Sequence, residues 1–158
     1  MGTELEQTVL FPDVSGEQQS DNSESLPNLI IYTDGAYKPS TDQGGWAFVA
    51  IKDDKVIKYD YDSEKNTTNN RMEIMGVLKA IEYFNGESRF GTCTIYTDSQ
   101  YVWGTIVKNW KRNKNHDLWE KIDKIISPKV EVKWVKGHDN NPYNNMADKL
   151  AVKGSELL

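Results

Sequence analysis

The stretch Leu29-Ile30-Ile31-Tyr32-Thr33-Asp34-Gly35 carries four apolar or aromatic residues without a break into an acid followed at once by glycine. A continuous run of this kind, with no hydrophilic alternation, predicts a central strand covered on both faces that delivers a carboxylate, with the Asp-Gly step ending it. The phrase returns as Thr94-Ile95-Tyr96-Thr97-Asp98-Ser99, a second short β-rich run that stops at an acid and passes into a helical pattern. Two strand ends therefore present two aspartates.

Between these runs, Ala36 to Gln43 read as a polar loop, and Gly44-Gly45 open a second strand from Trp46 to Ile51. Lys52-Asp53-Asp54 turns into a third strand, Lys55 to Tyr61, and connections this short predict an antiparallel meander. Ser63 to Asn69 reads as polar linker. From Asn70 to Phe84 the period becomes helical, with Val77, Leu78, Ile81 and Phe84 as the buried stripe and Asn85-Gly86 as the stop. The strand Thr92 to Thr97 follows that helix and is expected to lie parallel to the first.

Beyond it come a helix from Ser99 to about Lys108, a basic loop or short helix over Asn109 to Asn115, and a helix from His116 or Asp117 to Ile126 stopped by Ser127-Pro128. A fifth strand, Val130 to Val135, a loop over Lys136 to Asn141 and a last helix opening at Pro142 complete the chain. The fold class is α/β, a five-stranded mixed sheet of three antiparallel then two parallel strands flanked by helices.

The length of 158 residues suits one domain with a real core. The single cysteine, Cys93, rules out a disulfide framework and points to a reducing compartment, with Cys93 itself in the core. No apolar stretch approaches the roughly 20 residues needed to span a bilayer, and the acidic N-terminus is unlike a signal or transit peptide. A soluble, cytoplasmic, membrane-free protein is expected.

The net charge of -5 is unevenly spread. Residues 1–27 hold Glu4, Glu6, Asp13, Glu17, Asp21 and Glu24 and no Lys or Arg, so the rest of the chain has 19 bases against 18 acids. Its bases cluster most densely as Lys108, Lys111, Arg112 and Lys114, and clustering governs binding to polyanions more than the sum does. The first 27 residues are too polar to fold alone and read as a disordered acidic tail, leaving 28–158 as the folded domain. Within that tail, Gln7-Thr8-Val9-Leu10-Phe11 before Pro12 resembles the short Gln-x-x-Leu-Phe peptide by which bacterial replication proteins bind the sliding clamp, with Gln7, Leu10 and Phe11 as its anchors.

Glu73 shares a helix face with Val77, Ala80, Ile81 and Phe84, so an acid heads an apolar stripe. Taken singly, Glu73 reads as a capping partner of Asn70, Asp98 as a cap beside Ser99, and Asp148 as a complement to the last helix dipole. Together the acids say more. Parallel neighbouring strands would end Asp34 and Asp98 at one carboxyl edge about 5 Å apart, where open α/β sheets place their sites. Like charges at that separation repel by about 3 kcal/mol per pair at an effective dielectric near 20. Neither strand end brings an adjacent Lys or Arg, so a divalent cation is the natural counter-charge, and oxygen-only ligands select Mg or Mn over zinc.

Six segments now fall in register. Tyr-Thr-Asp-Gly at 32–35, Thr-Thr-Asn-Asn-Arg-Met-Glu at 67–73, Thr-Asp-Ser-Gln-Tyr-Val at 97–102, Asn-Trp-Lys at 109–111, Asp-Leu-Trp at 117–119, and Trp-Val-Lys-Gly-His at 134–138 with Asp148 ten residues on resemble type 1 ribonuclease H from residue 28 to about 155. The resemblance implies that Asp34, Glu73, Asp98 and Asp148 hold two Mg2+ ions, for which Mn2+ substitutes, and that the protein hydrolyses the RNA strand of RNA/DNA hybrids as a monomer. The products implied carry 5′-phosphate and 3′-hydroxyl ends, as expected for removal of replication primers or R-loops. His138 is implied to aid proton transfer or product release. Asn69, Asn70 and Gln100 fall on groove-contacting positions, Thr68 on a DNA phosphate pocket, and Trp110, Lys111 and Arg112 on a basic ridge that holds DNA.

Three departures stand beside the match. Ser40 replaces an expected asparagine contact, the basic handle between Trp110 and Leu118 is cut short, and Asn145 stands where relatives often carry a further acid. Weaker hybrid binding is the expected consequence. The competing readings are a reverse-transcriptase-type nuclease domain and a catalytically weak hybrid-binding adaptor, the second of which would be marked by loss of one of the four acids. All four are present.

Overall fold

The computed structural model describes residues 26–137 and 140–157. The described chain forms β1 (Asn28–Lys38), β2 (Gln43–Lys52), β3 (Lys55–Lys65), α1 (Asn69–Asn85), β4 (Thr92–Thr97), α2 (Gln100–Val107), α3 (His116–Ile125), β5 (Val130–Trp134) and α4 (Pro142–Gly154). One sheet of order β3-β2-β1-β4-β5 results. The pairs β1–β2 and β2–β3 are antiparallel, and β1–β4 and β4–β5 are parallel. The mixed sheet expected from the sequence is the one found, with β1 at its centre.

Alternation along β1 explains its two covers. Leu29 and Ile31 are fully buried in the main core with Val77, Leu78 and Ile81 of α1, and with Ile95, Leu118 and Ile122. Tyr32 turns to the other face, where Val49, Ile51, Ala147 and Leu150 form a second cluster under α4. Cys93 is buried in the main core, and burial pushes its thiol up to about 12, so it behaves as a small apolar residue. No helix among the described residues is long and apolar enough to cross a membrane.

Three local expectations are corrected. The Asp-Gly step does not end β1: Asp34 pairs with Ala47 and Gly35 with Trp46, and pairing continues to Lys38 with Gln43. The hairpin partner supplies hydrogen bonds past the glycine, which outweighs its weak strand preference. Ser63–Lys65 is strand rather than linker, because these residues pair with Gln43–Gly45 at the far end of the long β2. Finally, α1 starts one residue early. Its N-cap is Thr68, whose hydroxyl accepts from the Arg71 N–H at 3.1 Å, so Asn70 with Glu73 is not a capping box.

Gly45 shows how α4 reaches the sheet. A Cβ there would overlap the Ala151 carbonyl and the Ser155 N–H, so only glycine lets the end of α4 rest on β2.

Candidate active site

Parallel pairing brings the two strand-borne acids together. The β1–β4 register holds a constant offset from Asn28↔Thr92 to Tyr32↔Tyr96. The same offset carried forward sets Asp34 opposite Asp98, the first residue after β4. Thr33 Oγ1 donates to the Tyr96 carbonyl at 3.1 Å, tying the two strand ends just before the acids.

Glu73 arrives from α1 because Gly35 has no side chain. A Cβ at Gly35 would overlap Glu73 N and Met72 C, so the first turns of α1 lie directly on β1 beside Asp34. Asp34, Glu73 and Asp98 each offer a carboxylate oxygen within 4.8 Å of the others. Asp34 is 5% and Glu73 8% exposed. Asp148, half-buried on α4, stands outside this tight group, yet its charge contributes to raising the Asp34 pKa.

The electrostatics of the group are unfavourable as it stands. Burial, then the Asp98 charge, push the Asp34 carboxyl up to about 8 against hydrogen bonds from Gly35 N–H (2.8 Å) and Glu73. Glu73 is raised well above the ordinary carboxylate range by burial first and by Asp34 and Asp98 next. Its Oε1 is buried with no hydrogen-bond partner, and a buried acceptor left in this way is costly. Oxygen donors from three elements, crowded and short of donors, fit a hard divalent cation.

Two residues that the sequence reading passed over brace Asp98. Trp134 Nε1 donates to the Asp98 carbonyl at 3.1 Å, and Gly137 lies so close that a Cβ there would be 2.9 Å from Asp98 Oδ2. Both stand in the quoted Trp-Val-Lys-Gly-His segment, but only contact across β4 and β5 assigns them this task. His138, the next residue, lies outside the described residues, as do Gln7, Leu10 and Phe11.

The remaining expected contacts sit on exposed ground. Thr68, Asn69 and Asn70 crown the N-terminus of α1, and Gln100 opens α2 behind its cap Ser99, which accepts from Val102 N–H. Trp110 is 47% exposed, packs on Gly104 and meets Trp103 edge-on at 6.5 Å. Lys111 is exposed. Arg112 differs: it binds Asp123 through two nitrogens, at 2.6 and 3.1 Å, and its guanidinium lies 5.4 Å from the Trp119 ring centre. Arg71, also unremarked in the sequence, makes a matching fork to Asp117 and bonds Asn115, joining α1 to α3.

A sheet of order β3-β2-β1-β4-β5 with clustered acids at the carboxyl edge of its central strands defines the ribonuclease H-like class of α/β proteins. Solved structures agree on the fold. A foamy viral protease-reverse transcriptase in complex with dsDNA aligns with TM-score 0.71 and 23% identity, covering 82% of this chain and 95% of that one. The N-terminal RNase H domain of a Mycobacterium tuberculosis protein, fused to maltose-binding protein, aligns with TM-score 0.69 and 20% identity over 82% of this chain and 94% of that one. In sequence, residues 27–156 match the RNase H family. A ribonuclease H of Treponema denticola is 37% identical, covering 83% of this chain and 99% of the relative. One of Francisella tularensis subsp. novicida is 41% identical, covering 82% and 93% respectively. The chain belongs to the type 1 ribonuclease H family and is an enzyme of that family.

Proposed function

We propose that this enzyme hydrolyses the RNA strand of RNA/DNA hybrids by in-line attack of water on the phosphodiester, leaving 5′-phosphate and 3′-hydroxyl ends. The observation that carries the reading is the set of three carboxylates, from β1, α1 and the end of β4, within 4.8 Å of one another. Asp34, Glu73, Asp98 and Asp148 would hold two Mg2+ ions, with Mn2+ able to replace them. When bound, such ions lower the pKa of the attacking water and offset charge on the scissile phosphate and the leaving 3′ oxygen.

The protein's own residues do the rest. Burial of Asp34 and Glu73 keeps bulk water from screening the site, which strengthens every charge interaction inside it. Trp134 and the close approach of Gly137 fix the Asp98 backbone and carboxylate. Asn69, Asn70 and Gln100 present amides to 2′-hydroxyls and base edges, since a hybrid must be told from duplex DNA by its ribose. Thr68 and the Trp110–Lys111 ridge meet phosphates of the DNA strand, which set register without reading sequence. His138 follows Gly137 and serves proton transfer or product release.

Cleavage of a labelled hybrid, beside duplex RNA and duplex DNA, in wild type and Asp98→Asn tests the reading. Hybrid-only cleavage lost in the variant supports it; cleavage unchanged in Asp98→Asn, or absent from the wild type in both Mg2+ and Mn2+, overturns it. In the cell we assign the enzyme to primer or R-loop removal in the cytoplasm, acting as a monomer. Residues 1–27 form a separate acidic tail whose Gln7, Leu10 and Phe11 bind the sliding clamp and raise local concentration at replicated DNA. Pull-down with clamp that is equal for the intact protein and for Leu10→Ala with Phe11→Ala would sink the tail assignment.

A further inference from the structure

The ridge between α2 and α3 carries positive charge that the fold does not use. Asp117 is engaged by Arg71 and Asp123 by Arg112. Lys111 and Lys114 are exposed and have no carboxylate partner among the described residues, and Lys108 is set over the Trp103 ring at 5.4 Å. Three lysines within seven residues thus face solvent as a compact basic surface.

The segment ahead of β1 has the opposite composition, with six acids and no Lys or Arg up to Pro27. It is also an addition to the family's common body. The Treponema relative is matched over 99% of its own length by only 83% of this chain, and the family match begins at residue 27. We propose that the acidic segment 1–25 docks on the lysine ridge Lys108–Lys114 and competes there with the nucleic-acid backbone.

Reach and charge both permit this. A tether of about 25 residues can reach at most roughly 80–90 Å, more than the roughly 30–35 Å breadth of a domain this size. Tethering gives the segment an effective concentration on the order of millimolar at the ridge. Exposed ion pairs are weak singly, but several at such a concentration compete with phosphates for the same lysines. Both partners bind by neutralising the lysines, so salt weakens the competition along with hybrid binding itself.

The docking arm stands on charge and geometry alone, while the competition arm rests on the hybrid-binding reading. The test uses the full chain with Glu4→Gln, Glu6→Gln, Asp13→Asn, Glu17→Gln, Asp21→Asn and Glu24→Gln combined. Amide spectra at about 50 mM salt should differ from wild type at Trp110, Lys111 and Lys114, and the difference should close at about 500 mM. In chelator, affinity for an uncleaved hybrid should rise by about 3–10-fold at the lower salt and by less than about twofold at the higher. Lys111→Gln with Lys114→Gln in both backgrounds should remove that gain. Unchanged ridge amides overturn the proposal, as does a gain in affinity that survives loss of the two lysines, which would mean repulsion without docking. If no variant binds hybrid, the functional reading fails while the amide shifts still decide whether the segment docks.

Discussion

Replacing Asp34 by Asn is expected to stabilise the metal-free protein while removing its response to metal. Asp34 is 5% exposed, and burial with the charge of Asp98 pushes its carboxyl up to about 8, against an ordinary value of 3.8. Between those values the native state keeps a proton that the unfolded chain releases. The native state therefore binds more protons, and stability falls as pH rises through this window. At pH 7 the gap spans about three units, which at about 1.4 kcal/mol per unit sets an upper bound of about 4 kcal/mol. Relaxation and water entry around the group lower the figure to about 2–4 kcal/mol. Asparagine has the same shape and can still accept from the Gly35 N–H, which bonds Asp34 Oδ1 at 2.8 Å, but it carries no charge.

In chelator at pH 7 the variant should melt about 5–15 °C above wild type, taking about 2–4 °C per kcal/mol for a domain of this size. The gain should shrink steadily toward pH 4, where both proteins are neutral at this position. Added Mg2+ at a hundredfold excess over its dissociation constant should stabilise wild type by about 2.7 kcal/mol and the variant far less. Calorimetry at several pH values, with and without Mg2+, reads both effects. A variant less stable than wild type from pH 5 to 8, or a difference that ignores pH, would refute the account of a strained, cation-requiring acid cluster.

Gly35→Ala places a methyl group against the backbone of Glu73 and Met72, so urea unfolding should show a loss of about 1–3 kcal/mol, with activity falling further as Glu73 is pushed from Asp34. A loss under about 0.5 kcal/mol would show that α1 does not depend on that contact. The Asp117 carboxyl is pushed down to about 2, chiefly by its bond from Arg71. Its contribution is thus present above pH 3.8 and lost as pH falls through about 2, and in Arg71→Gln an NMR titration should find Asp117 back near the ordinary carboxylate value. Lys111→Gln should weaken hybrid binding and reduce the salt slope by about 1 without moving the melting temperature. Arg112→Gln should instead cost about 0.5–1 kcal/mol of stability, because its guanidinium joins Asp123 and covers Trp119.

The sequence alone determined the order and type of the elements, the mixed sheet and the identity of the strand-borne acids. Those features are written in local pattern: an apolar run ending in Asp34, its echo ending in Asp98, and a helical stripe headed by Glu73. Even there, boundaries slipped where pairing overrode preference, as when β1 ran on through Gly35 because β2 lay opposite. Asn70 has the chemistry of a cap, whereas the backbone selects Thr68. What only tertiary structure decided is which residues share a place. The sequence anticipates Asp34 and Asp98 at one sheet edge through parallel strands, but the arrival of Glu73 within 4.8 Å of both depends on a missing Cβ at Gly35, which leaves no periodic trace. The division of the basic ridge is of the same kind. Arg112 and Lys111 are neighbours in sequence and look alike in charge, but the first faces Asp123 across eleven residues and the second faces water. Local propensity acts over a few residues and can be read from them; burial, strain and charge pairing arise between elements and exist only once the chain is folded.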